Sequence, residues 1–80
     1  MLLLSTTTKI KDHYRQLLTG KPFFLVDGTK VMVGDVRIKE GEGKYEVVVY
    51  FGIKSAFADN IPLEVFLDYI NMTFDQRLLL

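Results

Sequence analysis

The sequence predicts a small α+β domain, an antiparallel meander of three to five strands with an N-terminal and a C-terminal helix. Three observations lead there. The apolar residues change spacing twice along the chain, from helical to alternating and back to helical. Two glycine-bearing turns, Asp27-Gly28 and Glu40-Gly41-Glu42-Gly43, divide the alternating block into strands. The 80 residues include no cysteine, so one continuous apolar core has to stabilise a single domain, residues 1–80, without disulfide staples.

The first helix is expected over residues 6–19. Ser5, Thr6 and Thr7 offer capping hydroxyls, Ile10, Tyr14, Leu17 and Leu18 recur at helical spacing, and Gly20 followed by Pro22 supplies a stop. Phe23–Val26 is an apolar run of strand length. Asp27-Gly28 then signals a two-residue hairpin turn, in which both central residues take a positive φ. In the next strand, residues 29–39, β-branched side chains sit at odd positions 31 and 33 and then at even positions 36 and 38. That change of phase calls for a bulge or bend at Gly34-Asp35.

Residues 44–51 form a third strand, apolar on both faces and so central in its sheet: Tyr45, Val47, Val49 and Phe51 on one face, Val48 and Tyr50 on the other. Residues 54–58 offer a short fourth strand. Asp59-Asn60 before Ile61-Pro62-Leu63-Glu64 reads as a helix start, with Leu63, Phe66, Leu67 and Ile70 forming the apolar stripe of a helix over 62–71. Residues 72–80 fit a loose tail or a last strand.

Helix, hairpin and long bent strand in that order resemble the topology of Sm-like and other SH3-like small barrels. The segment Leu25-Val26-Asp27-Gly28-Thr29-Lys30 is similar to a turn of the Sm-like family, and Gly34 falls where a barrel strand bends. The likeness covers residues 10–51 and implies a half barrel that binds nucleic acid. The chain departs from the family at Glu40-Gly41-Glu42-Gly43, acidic where the family reads RNA, and in its C-terminal helix.

Ten basic and ten acidic side chains balance, which argues against a dedicated nucleic-acid binder. The charge is uneven along the chain: residues 1–54 hold nine basic and six acidic groups, residues 55–80 one and four. Met1-Leu2-Leu3-Leu4-Ser5 lacks the basic region and apolar length of a signal peptide, and no stretch is long enough to span a membrane. A cysteine-free small domain fits a reducing compartment, so a cytoplasmic location is expected.

No catalytic, metal or cofactor site is legible. His13 is the only histidine, and Asp12 beside it points about 100° away on a helix, so it reads as a surface residue. Asp59 with Glu64, and Glu40 with Glu42, are the nearest carboxylate pairs; they read as helix-end electrostatics and a solvated turn. Gly41 and Gly43 alternate with glutamates, which oppose an anion.

The expected function is therefore a small non-enzymatic module that binds another protein. The ending Ile61–Leu67 resembles those of many short phage proteins, which implies a phage-encoded accessory or inhibitor that occupies a partner's surface. Expected contact residues are Tyr45, Tyr50, Phe57 and the tail Leu78, Leu79 and Leu80, solvent-facing groups of the kind that anchor interfaces. The leucine-rich ends, Leu2–Leu4 and Leu78–Leu80, also suit a homo-oligomer or an assembly subunit. The nucleic-acid alternative would use Lys21, Lys30, Arg37, Lys39, Lys44 and Lys54.

Overall fold

A single extra residue in the longest strand organises the core. In the computed structural model, which describes residues 4–52 and 59–80, strand β2 (Lys30–Gly41) pairs antiparallel with β3 (Lys44–Gly52). The register steps between Val33, opposite Phe51, and Asp35, opposite Tyr50. Gly34 is the unpaired residue, at the place where the sequence changes phase. The insertion returns Val36 to the face that Val31 and Val33 occupy, and all three are buried. Gly34 does this without a positive φ.

The remaining elements follow from that strand. Helix α1 (Leu4–Leu18) buries Thr7, Ile10, Tyr14 and Leu18 along one stripe. It ends as expected at Gly20, whose φ of 78° suits glycine and whose N–H donates to the Val33 carbonyl at 2.8 Å. Strand β1 (Pro22–Phe24) pairs with the start of β2 and is shorter than the apolar run suggested, because Leu25 already closes the turn. That turn is a correction. Leu25 N–H donates to Thr29 O, Gly28 N–H donates to Leu25 O, and only Gly28 has positive φ, so Val26-Asp27-Gly28 make a three-residue loop. Asp27 steadies it by accepting from the Thr29 N–H at 2.9 Å. The two-residue turn with paired positive φ lies instead at Glu42 (53°) and Gly43 (73°), between β2 and β3.

Strand β4 (Asp59–Pro62) corrects the expected helix start. Asp59 and Asn60 pair with Phe51 and Tyr50, and Pro62 closes the ladder opposite Val48. Proline restricts the residue before it to extended backbone and is tolerated on an edge strand, so Ile61-Pro62 ends a strand here. Helix α2 (Leu63–Tyr69) begins directly after it, with Glu64 in its first turn. Asn71, at φ 57°, terminates α2, with Met72 N–H bonded to Leu67 O. The tail is neither loose nor a strand. Gln76–Leu79 form a 3₁₀ turn capped by Asp75, whose own N–H donates to the Tyr14 hydroxyl at 2.9 Å.

The strand order is β1-β2-β3-β4, with β3 inside the sheet as expected. Among the described residues β1 and β4 do not pair, so the sheet is an open four-stranded antiparallel meander, as expected for this α+β class. The strand expected at residues 54–58 lies outside the described residues. One core cluster joins α1, α2, the inner sheet face and Leu78. Phe66 is its aromatic centre, with its ring 5.4 Å from that of Phe51 and 6.2 Å from that of Phe23. Tyr14 stacks on Phe74 at 5.8 Å and fastens the tail to α1.

Two stability predictions follow from these contacts. Phe66→Ala should cost about 3–5 kcal/mol, read as a lower urea midpoint, because Phe66 is fully buried and the packed core can only partly fill the cavity it leaves. Glu42→Asn should stabilise by about 0.5–1 kcal/mol, since asparagine tolerates the left-handed backbone that glutamate now holds; an unchanged or lower midpoint would contradict the turn assignment.

Candidate functional site: an apolar groove at the sheet edge

Where β4 turns into α2, it stops covering β3. The ladder between them runs from Phe51 to Val48 and ends at Pro62, while β3 continues through Val47, Glu46 and Tyr45. The space left beside that stretch is a groove of about 310 Å³. Ile10 of α1, Tyr45 and Val47 of β3, Pro62 of β4, Leu63 of α2, and Phe74 and Leu79 of the tail supply its apolar lining; Glu46 and Glu64 are the charged residues that line it. A shallower hollow of about 420 Å³ adjoins it, sharing Glu64 and Phe74 and adding Asp68, Asn71 and Gln76. Among the described residues no lysine, arginine or histidine lines either hollow.

The groove brings together two of the expected contact residues, Tyr45 and Leu79, from positions far apart in sequence. Leu79 is 45% exposed and Leu80 96%, with the Leu80 main-chain oxygen 3.4 Å from Lys9 Nζ. Leu78 is a correction: it is 8% exposed and belongs to the core, because the 3₁₀ turn points alternate tail side chains in different directions. Tyr50 lies apart, on the outer face opposite Asp35, beneath the Arg37 guanidinium at 4.8 Å. Phe57 lies outside the described residues. Ile10, Leu63 and Phe74 were not foreseen as contact residues. Each carries an ordinary core signal: Ile10 and Leu63 are buried core residues that floor the groove, and Phe74 is half-buried in its wall.

The alternation of the ladder places Lys30, Arg37, Lys39 and Lys44 on the outer sheet face with Tyr50 and the exposed Phe24. Lys21 lies beside Val33 at the end of α1, and Lys54 falls outside the described residues. The face is partly neutralised: Lys39 sits opposite Glu46, and Arg37 Nε is 2.8 Å from Asp35 Oδ2. Arg15 approaches the other Asp35 oxygen at 2.9 Å. Burial tends to raise the Asp35 carboxyl, but hydrogen bonds from Arg37 and the Val36 N–H, with the two guanidinium charges, hold it below the usual carboxylate range.

His13 is exposed, as expected, and its ring meets the edge of Tyr14 at 4.9 Å. Among the described residues no group of three or more histidine, cysteine, aspartate or glutamate side chains could hold a metal ion, and no helix is long and apolar enough to cross a membrane. Comparison with known proteins finds no matching family model, no matching curated protein and no matching solved structure.

The Asp35 contacts predict a pH effect of definite sign. A carboxyl held below 3.8 in the folded state contributes stability that is present above that value and fades as pH falls through its lowered pKa. Melting temperatures measured from pH 6 to pH 2 should therefore fall less steeply for Asp35→Asn than for the wild type; parallel profiles would contradict the assignment.

Proposed function

We propose that the protein is a small non-enzymatic protein-binding module that uses the groove beside β3 and the exposed Leu79-Leu80 end to occupy a partner's surface. The observation that carries this reading is the groove itself. Seven apolar side chains from five elements line it, Ile10, Val47 and Leu63 as a buried floor and Tyr45, Pro62, Phe74 and Leu79 as partly exposed walls, and its tail-side wall ends in leucines that remain in water. Burying the exposed parts of Tyr45, Phe74, Leu79 and Leu80 is worth about 25 cal/mol per Å² removed from water, the main source of affinity in a contact without strong charge. The likeness of residues 61–67 to phage protein endings supports a phage-encoded accessory or inhibitor, and the absence of cysteine supports action in the cytoplasm.

A second reading rests on the outer face, which carries Lys30, Arg37, Lys39 and Lys44, with the Arg37 guanidinium over the Tyr50 ring. Such a surface stacks and neutralises single-stranded nucleic acid. The partial neutralisation by Asp35 and Glu46 favours the groove.

The test is affinity capture from the source cell with wild-type protein and with Leu79→Asp, whose half-exposed side chain leaves the fold intact. Binding of the captured protein should weaken about tenfold or more, ~1.4 kcal/mol, while Phe24→Ser on the opposite face has no effect. Equal binding by Leu79→Asp would contradict the groove reading. Retention on single-stranded nucleic acid that weakens steeply with salt would favour the outer face.

A further inference from the structure

We infer that the groove takes an extended peptide strand, added to the free edge of β3, with apolar residues at alternate positions and a lysine or arginine beside them. This rests on the protein-binding reading and specifies the form of the partner.

The backbone makes the first part of the case. Gly41 and Lys44 flank a two-residue turn, so they form a hydrogen-bonded pair, and pairing then alternates along the hairpin. Lys44, Glu46 and Val48 turn their main-chain groups toward β2, while Tyr45, Val47 and Val49 turn theirs to the other side. Val49 meets Ile61 of β4 there. Beyond Val48 no strand among the described residues continues the ladder, so the N–H groups of Tyr45 and Val47 face the end of β4 with no strand opposite. A strand in line with β4 would complete the sheet, which is how exposed edges recruit peptides.

Side chains make the second part. Tyr45 and Val47 sit on the inner face, against the groove with Ile10, Leu63, Phe74 and Leu79. Every second residue of an added strand would enter the same space, which fixes the two-residue spacing of its apolar positions. The flanking charge is set by Glu64 and, in the adjoining hollow, Asp68, with Glu46 at the edge opposite Lys39; among the described residues no lysine, arginine or histidine lines either hollow. A basic residue on the peptide meets that rim favourably. A helix would leave the Tyr45 and Val47 amides unused, and a second copy of the chain would bring the same acidic rim against itself.

The experiment selects binders to the full-length protein from a displayed library of random decapeptides, then titrates the synthesised winner into isotopically labelled protein. The expected consensus alternates apolar residues and includes lysine or arginine. Bound peptide should slow exchange of the Tyr45 and Val47 amide protons at least tenfold. N-methylating the peptide amides that face β3 should weaken binding at least tenfold, as should the double variant Glu46→Lys, Glu64→Lys. A consensus spaced by three and four residues, unchanged Tyr45 and Val47 exchange, indifference to N-methylation, a concentration-dependent dimer, or no selected peptide each overturns the strand inference. The broader reading is separable. If a cellular partner is still lost on Leu79→Asp, the groove stands without the strand; if binding ignores that variant, both fall.

Discussion

The two-residue repeat of a β-strand is the constraint on which the molecule depends. β2 carries its valines in two phases, and an uninterrupted strand would send Val36 to the face opposite Val31 and Val33. Gly34 absorbs the mismatch by standing outside the ladder. All three valines then join one buried cluster with Ile10, Leu18 and Phe66, with β2 packed against α1 and α2 against β3 and β4. The bulge also fixes which residues of β3 face inward, since each inward residue of β2 has an inward partner: Val36 with Val49, Ile38 with Val47, Glu40 with Tyr45. Val47 and Val49 enter the core as a result, and Tyr45 reaches the groove.

The groove is the consequence of a second, local conflict. Pro62 has no N–H and a fixed φ, and its ψ of 143° is extended, so the chain is still strand-like at that residue. At Leu63 it becomes helical, because Leu63, Phe66 and Leu67 gain more by burial against the sheet than by extending β4. β3 is therefore longer than the strand beside it. The tail fills part of the gap. Tyr14 holds it by a hydrogen bond to the Asp75 N–H and by stacking on Phe74, leaving Leu78 inside and Leu79 at the opening.

The helix-β-helix order, the bulge at Gly34, the stop at Gly20 and the central position of β3 were legible in the sequence, because each follows from periodicity or from a single residue's backbone preference. What was not legible turned on competition. Asp59, Asn60 and Pro62 suit a helix start as well as an edge strand, and pairing with Phe51, Tyr50 and Val48 decides between them. Asp27-Gly28 and Glu42-Gly43 both suit a tight turn, and the strand register assigns the paired positive φ to the second. The site was legible only in part. Tyr45 and Leu79 stood out as solvent-facing side chains next to apolar groups, whereas Ile10, Leu63 and Phe74 look like any core residue until the tail and the end of β4 are placed around them.

The cross-strand register of β2 against β3, read from nuclear Overhauser contacts between their backbone protons, tests this account most directly. Val33 should lie opposite Phe51 and Asp35 opposite Tyr50, with Gly34 matched to neither. An unbroken register, Gly34 opposite Phe51 and Val33 opposite Gly52, would turn the two halves of β2 to opposite faces and leave the core, the edge and the groove without a common origin.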